Sequence, residues 1–207
     1  LRNAGIVEIF NGSNQGFATA PQRIHQYSPG VQSTSETGDK FGAALAIHNT
    51  SSQCAACDHL LVGVPGEGFG WGANVKDNVG AVHFFFGSQA ADGIDTNLTT
   101  WIHQDTADVP STNEEGDEFG ASLAVDPNGL VWIGAPGEDI GWGSNIKVDA
   151  GAVFIWDVNE GYILCQSCNT LLAGFGNVNF PGVSETGDRF GESLSLGTTT
   201  LQELPEL

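Results

Sequence analysis

Two stretches of the chain set the same side chains on the same spacing: GEGFGWGANVKDN over residues 66–78 and GEDIGWGSNIKVDA over residues 137–150. They match Glu67 with Glu138, Trp71 with Trp142, Asn74 with Asn145 and Lys76 with Lys147, and each has an acid near its end, Asp77 or Asp149. Carboxylates are hard oxygen ligands, so Glu138, Asp139 and Asp149, with Glu67 and Asp77 in the other copy, are the candidate set for a calcium ion. The oxygen alternation of an EF-hand loop is missing, which favours a Gly-rich turn whose Trp packs on a neighbouring sheet and whose Lys pairs with a local carboxylate. The same loops are the candidates for ligand binding. An exposed Trp71 or Trp142 offers a stacking face for a sugar ring or a partner side chain, with Asn74 and Asn145 in the same set.

Four cysteines form two Cys-x-x-Cys pairs, Cys54/Cys57 and Cys165/Cys168, with 107 residues between them. A Cys₄ zinc ribbon spaces its pairs by roughly 15–20 residues, and a thioredoxin-type pair opens a helix, which neither stretch resembles. Local disulfides in an oxidising compartment are the favoured reading and zinc the second, with three connectivities open. His25 and His103 occupy matching Ile-His-Gln segments, so they are repeat features rather than members of a unique catalytic group. No G-x-S-x-G, HExxH or P-loop occurs, and no catalytic residue is assigned.

The elements that position these loops repeat as well. GDKFGAALAI (38–47), GDEFGASLAV (116–125) and GDRFGESLSL (187–196) are three versions of one decapeptide. Phe41, Phe119 and Phe190 lie 78 and 71 residues apart, whereas Gly63/Gly134, Trp71/Trp142 and Gly80/Gly151 are each 71 apart. The seven extra residues of the first unit fall in the segment that holds Cys54 and Cys57, as expected of a surface loop. Within a unit, residues 99–104, 120–126, 130–136 and 151–156 are short β-branched or aromatic runs bounded by Gly, Pro, Asn and Asp, and they read as strands. Four strands per unit make a propeller blade. Leu45 with Ile47, Leu123 with Val125 and Leu194 with Leu196 fall two apart and read as core positions. Asp39, Asp117 and Asp188 are expected to accept hydrogen bonds from nearby amides, the Phe rings to fill the gap between sheets, and Gly42, Gly120 and Gly191 to allow close backbone approach.

Phe-Gly, Gly-x-Pro and Gly-Ala-Val recurring in this order resemble the FG-GAP repeats of integrin α-subunit β-propellers, most closely the bacterial extracellular branch. The likeness covers most of residues 21–196. It implies an all-β fold of propeller blades, each of four antiparallel strands, with about three blades present and seven in the ring. The organisation expected is the end of one blade at 1–20, full blades at 21–88 and 89–158, and the start of another at 159–207. The calcium loop usual in the family is replaced here, by HNTSSQCAACDH with only Asp58 in the first unit and by DPNG with Asp126 and Asn128 in the second. A disulfide or a short turn is expected to staple those loops in place of calcium. Closed propellers have typically 4–8 blades, so the units are expected to be completed by a longer chain or by other copies.

Charge narrows the partners. Six Lys and Arg against 25 Asp and Glu give a net charge of −19, a field that repels nucleic acids and anionic membranes. No run of 18 apolar residues occurs, so membrane insertion is not expected. The chain starts at Leu1 and opens without the regions of a signal peptide, which reads as a processed product or fragment. The Asn-x-Ser/Thr sequons at Asn11, Asn49 and Asn97 are uninformative. The expectation is a secreted, non-enzymatic binding or adhesion module for a protein or carbohydrate ligand at the cell surface. Two alternatives are an accessory propeller of a secreted polysaccharide- or lipid-processing enzyme, and a self-assembling envelope or filament protein.

Overall fold

The computed structural model describes residues 1–17, 20–49, 58–88, 93–107, 109, 111–158, 171–172 and 183–196. Cys54, Cys57, Cys165 and Cys168 lie outside the described residues. The chain is all-β: among the described residues only two single-turn 3₁₀ segments, Gly72–Asn74 and Gly143–Asn145, interrupt the strands and loops.

Strands β1 (Val7–Ile9) and β4 (Gln22–Ile24) pair antiparallel, with a small hairpin, β2 (Gly12–Ser13) and β3 (Gly16–Phe17), between them in sequence. A four-stranded antiparallel sheet follows in the order β5 (Ala44–His48), β6 (His59–Val64), β7 (Ala81–Ser88), β8 (Gly93–Ile102). A second one repeats it with β9 (Ser122–Val125), β10 (Leu130–Ala135), β11 (Ala152–Asp157) and β12 (Leu171–Leu172).

The sheet boundaries fall elsewhere than the sequence units. Residues 99–102, read as opening the second unit, are the end of β8 and the edge of the first sheet, where Ile102 faces Val82 and Thr99 faces Phe85. Likewise β4 pairs back onto β1, and β12 onto β11. Each unit therefore lends its first strand to the sheet before it. The sequence shows only strand order, which is the same for either assignment.

The sheets stack face to face, and this explains why β6 reads HLLVGV with no polar alternation: both of its faces are covered. Leu61 points into a core shared with Phe119, Leu123, Val131 and Ile133 of the second sheet's unit. Leu60, Val62 and Val64 point the other way, toward Val7, Ile24 and Phe41. Phe41 and Phe119 sit in these two cores and are fully buried, which at about 1.5–3 kcal/mol each makes them principal inter-sheet wedges.

The backbone is clasped at three equivalent places. Gly38, Lys40 and Phe41 donate their amides to the carbonyls of Arg2, Asn3 and Ala4 at 3.0, 2.8 and 2.8 Å. Gly116, Glu118 and Phe119 repeat this on Asp77, Asn78 and Val79, and Gly187, Arg189 and Phe190 on Val148, Asp149 and Ala150. The aspartates act as expected, their Oδ2 atoms accepting the amides of Glu36 (2.5 Å), Glu114 (2.7 Å) and Glu185 (2.7 Å). Gly63 is where two sheets nearly touch: a Cβ there would lie 2.1 Å from the Gly120 carbonyl oxygen.

One core assignment is corrected. Leu45 and Ile47 are 51% and 56% exposed, and the core-facing side of β5 is Ala44 and Ala46 instead. Their counterparts Leu123 and Val125 do pack inward, because the first sheet lies over them. Leu196 is also exposed.

Candidate functional site

After β6 and β10 the chain makes two loops of nearly identical shape. Phe69 and Lys76 exchange both backbone hydrogen bonds, at 3.0 and 2.8 Å, and Ile140 and Lys147 do the same at 3.1 and 2.7 Å. The 3₁₀ turn closes each tip, where the amides of Asn74 and Asn145 reach the carbonyls of Trp71 (3.2 Å) and Trp142 (3.1 Å). Gly70, at φ +127°, is obligatory, since a Cβ there would meet the Asn74 carbonyl oxygen at 2.2 Å. The first loop is anchored by Phe69, stacked on Trp101 at 5.4 Å, and by Lys76 Nζ, which donates to the Asn113 carbonyl at 2.5 Å.

The result is two tips of fixed backbone that hold Trp71 and Trp142 out, 91% and 88% exposed, with dihedrals agreeing within a few degrees. The reading that each Trp packs on a neighbouring sheet is therefore corrected: Gly70 and the Phe69–Lys76 pairing turn the ring outward. Lys76 likewise meets a backbone carbonyl rather than a carboxylate. Asn74 and Asn145 are exposed on the same tips, beside Val75 and Ile146.

The five candidate calcium ligands are not gathered into one site. Glu67 and Glu138 turn inward, where Glu67 Oε2 accepts from Gln26 Nε2 (2.6 Å) and Glu138 Oε1 from Ser111 Oγ (2.7 Å). Asp139 Oδ1 instead accepts the Asp149 amide at 2.9 Å, bracing its own loop, and Asp77 lies near Gly68. No group of three or more His, Cys, Asp or Glu among the described residues is placed to hold a metal ion. In the second unit the loop that the resemblance associates with calcium is a tight turn. Asp126 Oδ1 accepts the amides of Asn128 (2.8 Å) and Leu130 (2.9 Å), and Gly129 takes φ +86°.

Beneath each Trp loop is a buried polar group that the motif reading did not pick out. Gln26, Ser33, Asp39 and Glu67 form one, and Gln104, Ser111, Asp117 and Glu138 the other. Burial, with Asp39 and Glu36 nearby, pushes Glu67 up to about 8. Burial raises Asp117 to about 8, with Glu138 and Glu114 adding to it, and burial raises Glu138 to about 7. The signal was present in the sequence: Gln26 and Gln104 stand at one distance before Asp39 and Asp117, as do Ser33 and Ser111. His25 and His103 open the turns of these segments, their amides donating to Ser28 Oγ (3.0 Å) and Thr106 Oγ1 (2.9 Å).

The variable position of Gly-Asp-x-Phe-Gly carries a second feature, which no motif marks. Lys40, Glu118 and Arg189 form a ladder across the units, with Glu118 3.7 Å from Lys40 and 2.5 Å from Arg189. All three adopt φ between 50° and 59°.

Fold and site together define an all-β chain of stacked antiparallel sheets, with an aromatic-tipped loop over a buried carboxyl cluster in each of two units. The chain matches no protein-family model and no curated protein. No helix among the described residues is long and apolar enough to cross a membrane.

Proposed function

We propose that the chain is a run of FG-GAP-type β-propeller units that works outside the cell as a non-enzymatic binding or adhesion module. The observation that supports it is the pair of Trp71 and Trp142 tips, carried in one conformation on successive sheets. Aromatic faces offer a large stacking area, and repetition on tips of one backbone conformation converts weak contacts into avidity. The ligand class is a protein or carbohydrate displayed on a surface, since multivalency counts only where the ligand is also repeated.

The test is binding of the chain to glycan and cell-surface protein arrays, with Trp71→Ala, Trp142→Ala and the double variant. Each single variant should weaken binding and the double variant abolish it, with folding unchanged. Binding that survives in the double variant would sink the proposal, as would a hydrolase or lyase activity lost on changing one unrepeated acid.

A second reading, self-association through sheet stacking, is favoured by Leu45 and Ile47, whose counterparts in the next unit are covered by a sheet. Light scattering tests it: Ile47→Asp should lower the native mass if copies stack there. An unchanged monomer mass in both proteins would rule it out.

A further inference from the structure

We infer that each buried cluster is a proton-binding site, in which Asp39 with Glu67, and Asp117 with Glu138, hold one shared proton at neutral pH and so clasp the Trp loop to its sheets. This does not depend on the propeller reading.

The geometry carries it. All four carboxyl groups are buried, and the charged groups that face them are again acids: Glu36 in the first cluster, Glu114 and Asp139 in the second. Lys76, close in sequence to Glu67, is committed to the Asn113 carbonyl. Two carboxylates buried in one cluster, with no cation beside them among the described residues, cannot both stay ionised.

An independent observation points the same way. Gln26 and Gln104 are 2% and 0% exposed, and the Oε1 atom of each is buried with no hydrogen-bond donor among the described residues. Their Nε2 groups are already used, Gln26 on Ser33 Oγ (2.8 Å) and Glu67, and Gln104 on Glu138. On this proposal the proton held in the cluster makes a carboxyl the donor that each Oε1 lacks. Turning either amide over does not remove the need, because Oε1 would then face a Glu oxygen and require a proton between them. That the same vacancy recurs in both units argues against an accident of one side chain.

The consequence is mechanical. Each site joins the segment after one sheet's edge strand (Gln26, Ser33), the turn before the Phe wedge (Asp39) and the start of the Trp loop (Glu67). The Glu67 carbonyl accepts the Gly80 amide at 3.0 Å and the Glu138 carbonyl the Gly151 amide at 2.9 Å, so these residues are the feet of the loops. Ionising both members of a pair drives the feet from the Asp turns.

The raised values fix the direction. The unfolded chain releases these protons near the ordinary carboxyl range, whereas the folded chain keeps them to about 8 at Glu67 and Asp117 and about 7 at Glu138. Stability from the clasp is complete below the ordinary carboxyl range and is lost progressively as pH rises from there to about 7 to 8. The histidines whose values burial lowers act on the acid side, so the window to examine is pH 6.5 to 8.5.

The experiment is urea unfolding of the full chain across that window, with folding-linked proton uptake measured by calorimetry in buffers of different ionisation enthalpy. The wild type should take up about two protons on folding at pH 7, one per cluster, and its midpoint should fall as pH rises. Glu67→Gln with Glu138→Gln should lose most of this uptake and flatten the pH dependence at least twofold. Infrared detection of a protonated carboxyl in the wild type needs no variant, so a variant that fails to fold does not decide the matter. Absence of proton uptake and of that carboxyl band would overturn the inference. So would a wild type stabilised by calcium at pH 8 with no proton change, which would make a cation the occupant.

Discussion

Alanine at Gly63 tests the stacking of the two four-stranded sheets. Gly63 lies in β6 without a left-handed dihedral, so alanine is conformationally allowed and only space opposes it. The obstacle is backbone: the new Cβ would be 2.1 Å from the Gly120 carbonyl oxygen and 3.1 Å from its carbon. Gly120 cannot swing aside, because its amide is fixed on the Gly134 carbonyl at 2.9 Å. Restoring even the closest tolerable approach separates the sheets by about 1 Å, a gap that forfeits a quarter to a half of each dispersion contact across it. Overpacking costs about 1–3 kcal/mol, and partial loss of the Phe119 core puts this site at the upper end. At roughly 2–4 °C per kcal/mol for a chain of this size, Gly63→Ala should lower Tm by about 6–12 °C. Gly12→Ala, where nothing lies within 4 Å, is the control and should stay within about 0.5 kcal/mol. Differential scanning calorimetry of the three proteins decides it. Equal Tm values for the two variants would mean that the sheets do not meet at Gly63 and Gly120.

Three further outcomes follow from single side chains. His83 is buried against Phe41 and Phe85 with no partner for either ring nitrogen among the described residues, and its counterpart in the second sheet is Phe154, so His83→Phe should stabilise by about 1–3 kcal/mol in urea unfolding. Burial lowers His83 to about 4, so the wild type loses stability as pH falls from 6.5 toward 4, and the variant should lose less over that range. Asp126→Ala removes the acceptor for two amides of the β9–β10 turn and should cost about 1–2 kcal/mol by the same assay. Glu118→Lys turns the Lys40–Glu118–Arg189 ladder into three cations and should destabilise by about 1 kcal/mol at low salt, with the loss shrinking in 1 M NaCl.

Strands were legible where local chemistry settled them. The runs at 130–136 and 151–156 are β10 and β11 almost residue for residue, because β-branched and aromatic residues between Gly and Pro have little alternative. The role of Asp39, Asp117 and Asp188 was equally readable, since a Gly-Asp turn leaves few other acceptors for its amides. Which sheet owns residues 99–102 was not readable, because strand pairing is a long-range choice that strand order leaves undetermined. The Trp loops failed for another reason. An apolar ring argues for burial, yet the outward turn is set by Gly70 and the Phe69–Lys76 pairing, whose geometry no composition rule conveys. The carboxyl clusters were spelled out in repeated letters, but Gln and Ser at a fixed distance from an Asp carry no known motif and were passed over.

Leu45 and Leu123 make the general point about repeats. Both follow Gly-Asp-x-Phe-Gly at the same distance, both lie on the first strand of a four-stranded sheet, and the flanking small residues match. Yet Leu123 is buried beneath the first sheet while Leu45 is half exposed, because among the described residues the element on that side is the short β1–β4 pair. Burial at such a position is thus a property of the neighbouring unit and not of the residue. Periodicity can identify the face, but only the stack can say whether it is filled. The two half-exposed side chains of β5 offer apolar area worth about 25 cal/mol per Å² to whatever sheet covers them, whereas the covered pair in β9 has already spent it. That asymmetry between two copies of one strand is why Ile47→Asp should disturb an assembly and spare the isolated fold, while the same change at Val125 should strike the core itself.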